Sequence, residues 1–251
     1  MRLNMRTDFP AAAAQVDQLG RRGPIVAAIA LTRTGKDVQG AIRNEKQAVF
    51  DRPTRFALNG TFLKAATRSK LEARVWIKDN PFGVGTPAEK FLGPQIFGGA
   101  RGHKGMERML QANGMMPQGW FAVPGAGAEL DGNGNVRRGQ IRQMLSQLRI
   151  QRGGGYESRA TGSQRSNRTI ARQGVTYFAL PNGNKGLPPG VYLKRKFAHG
   201  SAIKPVFVFV QQAQYQTRLR FHEVGQATVN DRFPVHWEAE FNRPRPGGSG
   251  S

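Results

Sequence analysis

Residues 24–50, PIVAAIALTRTGKDVQGAIRNEKQAVF, decide the fold because they read as one long helix. Pro24 suits the first helical position, where its missing N–H leaves no bond unmade. Ile25, Ala28, Ile29, Thr32, Ile42 and Val49 then keep one mostly apolar stripe at helical spacing through Phe50. The opposite face holds Arg33, Lys36, Asp37, Arg43 and Lys46 and reads as solvated or partner-facing. Asp51 and Pro53 end the helix. A helix with one apolar stripe needs a second layer to bury it. Residues 71–78, LEARVWIK, begin that layer: Leu71, Ala73, Val75 and Ile77 alternate with Glu72, Arg74, Trp76 and Lys78, the period of a half-buried strand.

Residues 175–180 and 191–196 flank the turn-rich segment 181–190 as a β-hairpin with an extended tip, and 203–210 adds an antiparallel strand. Tyr215, Leu219, His222 and Gln226 follow helical spacing, with Pro234 expected to kink or end that helix. The fold class is therefore α+β, with an antiparallel sheet from 71–78 and 175–210 packed by a long N-terminal helix and a C-terminal helix. Short helices are expected over 106–111, closed by Asn113 and Gly114, and over 139–150, with Ile141, Leu145 and Leu148 at helical spacing. Residues 120–124 read as a buried connector between them.

Two segments escape this pattern. From 80 to 105 glycines and prolines surround Phe82, Lys90, Phe91 and Phe97 without periodicity, the signature of an ordered excursion or lid. From 151 to 173 there is almost no apolar residue, and Gly153, Gly154 and Gly155 accompany five arginines in a flexible basic loop. The chain reads as one α+β domain over residues 1–242 with these two insertions, followed by a flexible Pro, Gly and Ser tail at 243–251.

The 251 residues carry 38 Lys and Arg against 16 Asp and Glu, a formal net charge of +22. Such an excess repels itself in a compact state unless an acidic partner screens it, so the charge is used outward, toward a polyanion or a large assembly. Gly (32) and Pro (15) together come close to 19% of the chain, against about 12% in average usage, which predicts abundant irregular backbone. There is no cysteine, so disulfides, thiolate metal sites and cysteine nucleophiles are excluded, in keeping with synthesis in a reducing cytoplasm. Apolar runs such as 27–31 and 206–210 fall far short of the roughly 20 residues of a membrane span. The N-terminus lacks a signal-peptide core, and a soluble protein is expected.

No constellation carries chemistry. Asp131, Asn133 and Asn135 imitate the first ligands of a calcium loop, but Val136 stands where a turn glycine is required and Arg142 where a bidentate carboxylate must close the site. A turn is the expectation. Gly125 and Gly127 begin a dinucleotide-type pattern that no third glycine completes. His103, His199, His222 and His236 lack the spacing that puts two imidazoles on one helix face, and Glu238 and Glu240 more simply offset nearby arginines. The expectation is a protein that is not an enzyme, with no metal and no cofactor. The candidate contacts are Arg152, Arg159, Arg165, Arg168 and Arg172, whose guanidinium forks suit phosphate oxygens or a neighbouring protein surface.

The stretches AIRNEKQAVFDRPTRFALNGTFLKAATRSKLEARVWIKD (41–79) and IKPVFVFVQQAQYQTRLRFHEVGQATVNDRFPVHW (203–237), following an N-terminal helix, resemble phage minor-tail or tail-completion proteins related to the minor tail protein Z group. The stretch GGARGHKGMERMLQANGMMPQGWFAVPGAGAELDGNGNVRRGQIRQMLSQL (98–148) is similar to uncharacterised proteins encoded in phage structural-gene modules. The resemblance implies a virion component made in the host cytoplasm and built into the tail or neck as a homo-oligomeric ring around the DNA conduit. Its partners would be further copies of itself, neighbouring tail or connector proteins and, non-specifically, genomic DNA. A sequence-independent nucleic-acid-binding protein is the alternative, whose binding would weaken steeply with salt.

Overall fold

The computed structural model describes residues 2–5, 20–79, 86–150, 174–184, 186–212 and 214–244. The fold is mixed α+β with antiparallel sheets. Two compact units make it up, Met1–Gly99 with Tyr215–Ser251, and Ala100–Gln214. Each has its own hydrophobic cluster. The strands expected to share one sheet accordingly fall into two. Period-two alternation shows which face of a strand is buried, but it does not name the strand beside it.

In the first unit, α1 (Gly23–Val49) carries Pro24 in its first turn, and the Phe50 N–H closes it on the Lys46 carbonyl. The stripe that enters the core is Val26, Ala30, Leu31, Thr34, Val38 and Ile42, rotated from the expected one, and it ends on Lys46. Lys46 therefore lies on the buried face rather than the solvated one. Val38, Ile42 and Lys46 are successive steps of four, and spacing overrides charge. A short helix α2 (Arg55–Leu58) is capped by the Thr54 hydroxyl, which accepts the Ala57 N–H at 3.1 Å. It leads to β2 (Thr61–Lys64), which pairs antiparallel with β3 (Ala73–Ile77); β1 (Arg2–Met5) pairs on the other side of β3. Ala73, Val75 and Ile77 are buried as their alternation predicts. The expected lid at 80–105 instead contains α3 (Ala88–Phe97), whose Ala88, Leu92 and Ile96 join the core. Gly93 and Pro94 mask that four-residue rhythm in the sequence; residues 80–85 lie outside the described residues.

The last helix of this unit runs Phe221–Phe241, so that Tyr215 and Leu219, expected within it, precede it, and it passes straight through Pro234 rather than ending there. Pro234 removes one backbone bond, but the buried faces of Phe233, Trp237 and Glu240 on either side hold the helix on α1. Ion pairs fix the two helices face to face. Asp37 meets His236 Nε2 at 2.6 Å and Arg232 Nε at 3.1 Å, Glu45 meets Arg220 Nε at 2.9 Å, and Glu240 pairs with Arg33 and Arg243. Burial alone would raise the Asp37 carboxyl, yet the hydrogen bonds from His236 and Arg232 outweigh it and hold it below its ordinary value.

The second unit turns on Glu107, whose side chain is fully buried. Its carboxylate accepts the Lys104 N–H at 2.6 Å and the Ala122 N–H at 2.9 Å, and it takes both ends of the Arg101 guanidinium, one of them at 2.8 Å. Burial pushes this carboxyl up, but the Arg101 bond and the two backbone N–H groups prevail and lower it. One side chain thus ties the loop at 101–104 and α4 (Gly105–Ala112) to β4 (Phe121–Pro124). The expected connector at 120–124 is this strand, the edge of a four-stranded sheet. It pairs antiparallel with Phe207–Val210, Phe121 opposite Val210 and Pro124 opposite Phe207, a contact no local pattern announces. The helix α5 (Arg138–Gln147) presents Met144 and Leu145 to the core. Its Gln147 amide serves the sheet edge, donating to the Val175 carbonyl at 3.2 Å and accepting the Tyr177 N–H at 2.9 Å.

Two variants test these cores. Lys46 is 0% exposed, and its only hydrogen bond among the described residues is to the Leu58 carbonyl at 3.5 Å. Burial, with Lys78 and Arg43 nearby, pulls its pKa from 10.5 to about 8. Below about 8 the folded protein bears the full cost of a buried ammonium. As pH rises toward 10.5 the folded state releases its proton before the unfolded state does, so stability rises. Lys46→Met should raise stability at pH 7 by roughly 2–4 kcal/mol and abolish that share of the alkaline rise in denaturant titrations. Glu107→Ala should lower stability by about 3–5 kcal/mol because it strands Arg101. The wild-type contact should itself weaken as pH falls below the ordinary carboxylate range.

Candidate functional site

The four-stranded sheet of the second unit ends in an arm. β5 (Val175–Leu180) pairs with β6 (Gly190–Phe197), which pairs in turn with β7 (Gly200–Val210). Near its start β6 is core: Val191 and Leu193 share one hydrophobic cluster with Val206, Phe207 and Phe209. Gly190 is required there, since a Cβ would stand 2.4 Å from the Phe207 carbonyl oxygen. A bulge at Val191/Tyr192 shifts the register, the Tyr192 hydroxyl donates to the Pro188 carbonyl at 2.6 Å, and its ring stacks on Phe178. From Lys194 onward burial stops. Lys194, Arg195, Lys196, Phe197, His199, Ile203 and Lys204 are all exposed, with Phe197 at 59% and Ile203 at 45%.

β6 and β7 thus continue past the core with both faces in solvent, β5 running beside β6 only as far as Arg195. Lys194 lies opposite Ile203, and Lys204 opposite Leu193. On the outer side β4 covers only Phe207–Val210, after which Gly125 and Gly127 donate to the Val206 and Pro205 carbonyls. Among the described residues, no strand pairs with the outer edge from Gly200 to Lys204, and no carboxylate forms an ion pair with the arm. An isolated hairpin is marginal in water, so a surface of this kind gains most when a partner covers it. Its chemistry, cations interspersed with two apolar side chains, suits an anionic surface with an apolar centre.

The sequence-derived arginines Arg152, Arg159, Arg165, Arg168 and Arg172 lie outside the described residues, as does the tail from 245. The calcium-like triplet forms a turn: Asp131 Oδ1 accepts the N–H groups of Asn133 and Asn135, both at 2.9 Å, and Gly134 takes a positive φ. Those bonds, Asn135 first, lower the Asp131 carboxyl. Gly125 and Gly127 serve close packing on Pro205, a Cβ at Gly125 falling 2.5 Å from its oxygen. The four histidines stay apart. His103 stacks on Phe121 at 4.5 Å beside Glu107, His222 meets Phe97 and Phe221, His236 pairs with Asp37, and His199 sits in the exposed turn of the arm. Of the pair Glu238 and Glu240, Glu240 does offset arginines.

One sequence signal does mark the arm. Residues 158–222 hold eleven Lys and Arg and no Asp or Glu. The arm lies within that stretch, whereas attention to loop composition alone selects only 151–173. No helix among the described residues is long and apolar enough to cross a membrane. Comparison of the chain with family models, with curated proteins and with solved structures finds no match.

Because the arm lies outside the core, Lys194→Glu, Lys196→Glu and Lys204→Glu together should leave the unfolding midpoint within the small range of surface substitutions, about 0.5 kcal/mol each. Val191→Ala, a few residues away on the same strand, should cost about 1–3 kcal/mol. Calorimetry on the two variants measures the boundary between core and arm.

Proposed function

We propose that this chain is a structural protein of a bacteriophage virion, part of the tail or neck in a ring-like oligomer around the DNA conduit. Its basic arm at residues 194–204 docks it on an acidic neighbouring subunit. The observation that carries the reading is the hairpin that leaves its own core with cations and two exposed apolar side chains on it. The resemblance of residues 41–79, 98–148 and 203–237 to phage tail-completion and structural-module proteins supports the class. A conduit component has two sources of negative charge to meet, acidic neighbours and the genome, and a net charge of +22 suits both. The loop arginines between Arg152 and Arg172 extend the same basic surface in sequence.

Exposed cations with no ion pair among the described residues contribute little to folding, so their replacement separates assembly from stability. Particles assembled with the Lys194, Lys196 and Lys204 charge-reversal variant, or with the five loop arginines replaced by Ser, should contain at least about tenfold less of this chain by quantitative mass spectrometry. The purified variants should fold as the parent does. Normal incorporation would refute the docking role of the arm, and tail and neck preparations that lack the chain would refute the virion reading itself.

A further inference from the structure

The first unit carries a second exposed surface, on the outer face of its three-stranded sheet. Thr61, Ala73, Val75 and Ile77 point into the core, so their neighbours Phe62, Lys64, Arg74 and Trp76 point away from it. Phe62 and Trp76 are register partners on adjacent strands, with ring centroids 4.8 Å apart and planes inclined at 53°. Phe62 is 42% exposed and Trp76 half-buried. Lys64 is exposed and lies opposite Arg74. On the far side of β3, Arg2 is the register partner of Trp76. Glu72, two residues before Arg74, is already engaged: it accepts two bonds from Arg74, at 2.6 and 2.8 Å, and lies 3.3 Å from Lys70.

We propose that this face binds single-stranded nucleic acid, with bases stacked on Phe62 and Trp76 and the backbone phosphates drawn to Lys64 and Arg74. Every base has a π-face, so an aromatic pair on a sheet accepts bases without regard to sequence, and cations beside it follow the phosphates. A duplex hides those faces within its own stack and gains only the cations. An apolar protein partner would gain the rings but leave Lys64, which has no ion pair among the described residues, uncompensated. The site is independent of the arm, which belongs to the other unit.

The test uses the full chain, labelled oligo(dT) of about 15 nucleotides, a duplex of the same length, and tryptophan emission. Oligo(dT) should bind and quench emission. Trp76→Phe keeps a ring and should bind comparably while losing that quenching, which separates Trp76 from Trp120 and Trp237. Phe62→Ala, at an exposed position that leaves the core intact, should weaken oligo(dT) binding about tenfold and leave duplex binding unchanged. Lys64→Glu should weaken it further and reduce the salt slope by about one. Oligo(dT) binding that ignores Phe62→Ala, or that quenches equally in Trp76→Phe, overturns the proposal. So does self-association in sedimentation that Phe62→Ala abolishes while oligo(dT) fails to bind, which would assign the face to a second copy of the chain.

Discussion

Carboxylates are the scarce resource of this molecule, and where they go determines what its surface can be. Among the described residues Asp37, Glu45, Asp51, Glu72, Glu107, Asp131 and Glu240 all engage their own chain. Asp37, Glu45 and Glu240 hold the two long helices of the first unit to each other. Glu107 joins a loop, a helix and a strand of the second. With these acids engaged by their own chain, cations such as Lys64, Lys194, Lys196 and Lys204 stay exposed with no ion pair among the described residues, and the excess of positive charge becomes a property of the surface.

Glu107 and Lys46 show opposite ways of burying a charge. Glu107 has hydrogen-bond donors on both oxygens and a guanidinium beside it, so the cost of desolvation is met by four contacts. Lys46 has one long bond to a carbonyl, and its nearest charged neighbours, Lys78 and Arg43, share its sign. Its burial destabilises the first unit at neutral pH. In each unit the apolar cluster provides the main favourable contribution, and the ionic contacts select which faces meet.

The long helices and the alternating strands were legible because each carries its own period: α1, β3 and the β5–β6 hairpin all follow from spacing within a few residues. What was illegible is non-local. β4 depends on partners in β7, and the Phe62–Trp76 pair joins residues 14 positions apart that no linear motif connects. Gly93 and Pro94 interrupt the four-residue rhythm of helix α3, and the charge of Lys46 points to solvent while its spacing from Val38 and Ile42 puts it on the buried face. The arm was missed for a different reason. Lys194 to Lys204 read as ordinary strand, and only the end of the core beneath them makes those cations a surface.

Both proposed surfaces, the arm and the aromatic face, depend on the same internal commitment of the acids, since a free carboxylate beside either would cancel its attraction for an anion. Site-resolved carbon-13 titration of the side-chain carboxyls measures that commitment directly. Glu72, held chiefly by Arg74, should titrate near about 2, and Asp37, Glu107 and Asp131 should all titrate below their ordinary values. Ordinary titration of these four groups would mean that the acids are free in solution, and would contradict the account.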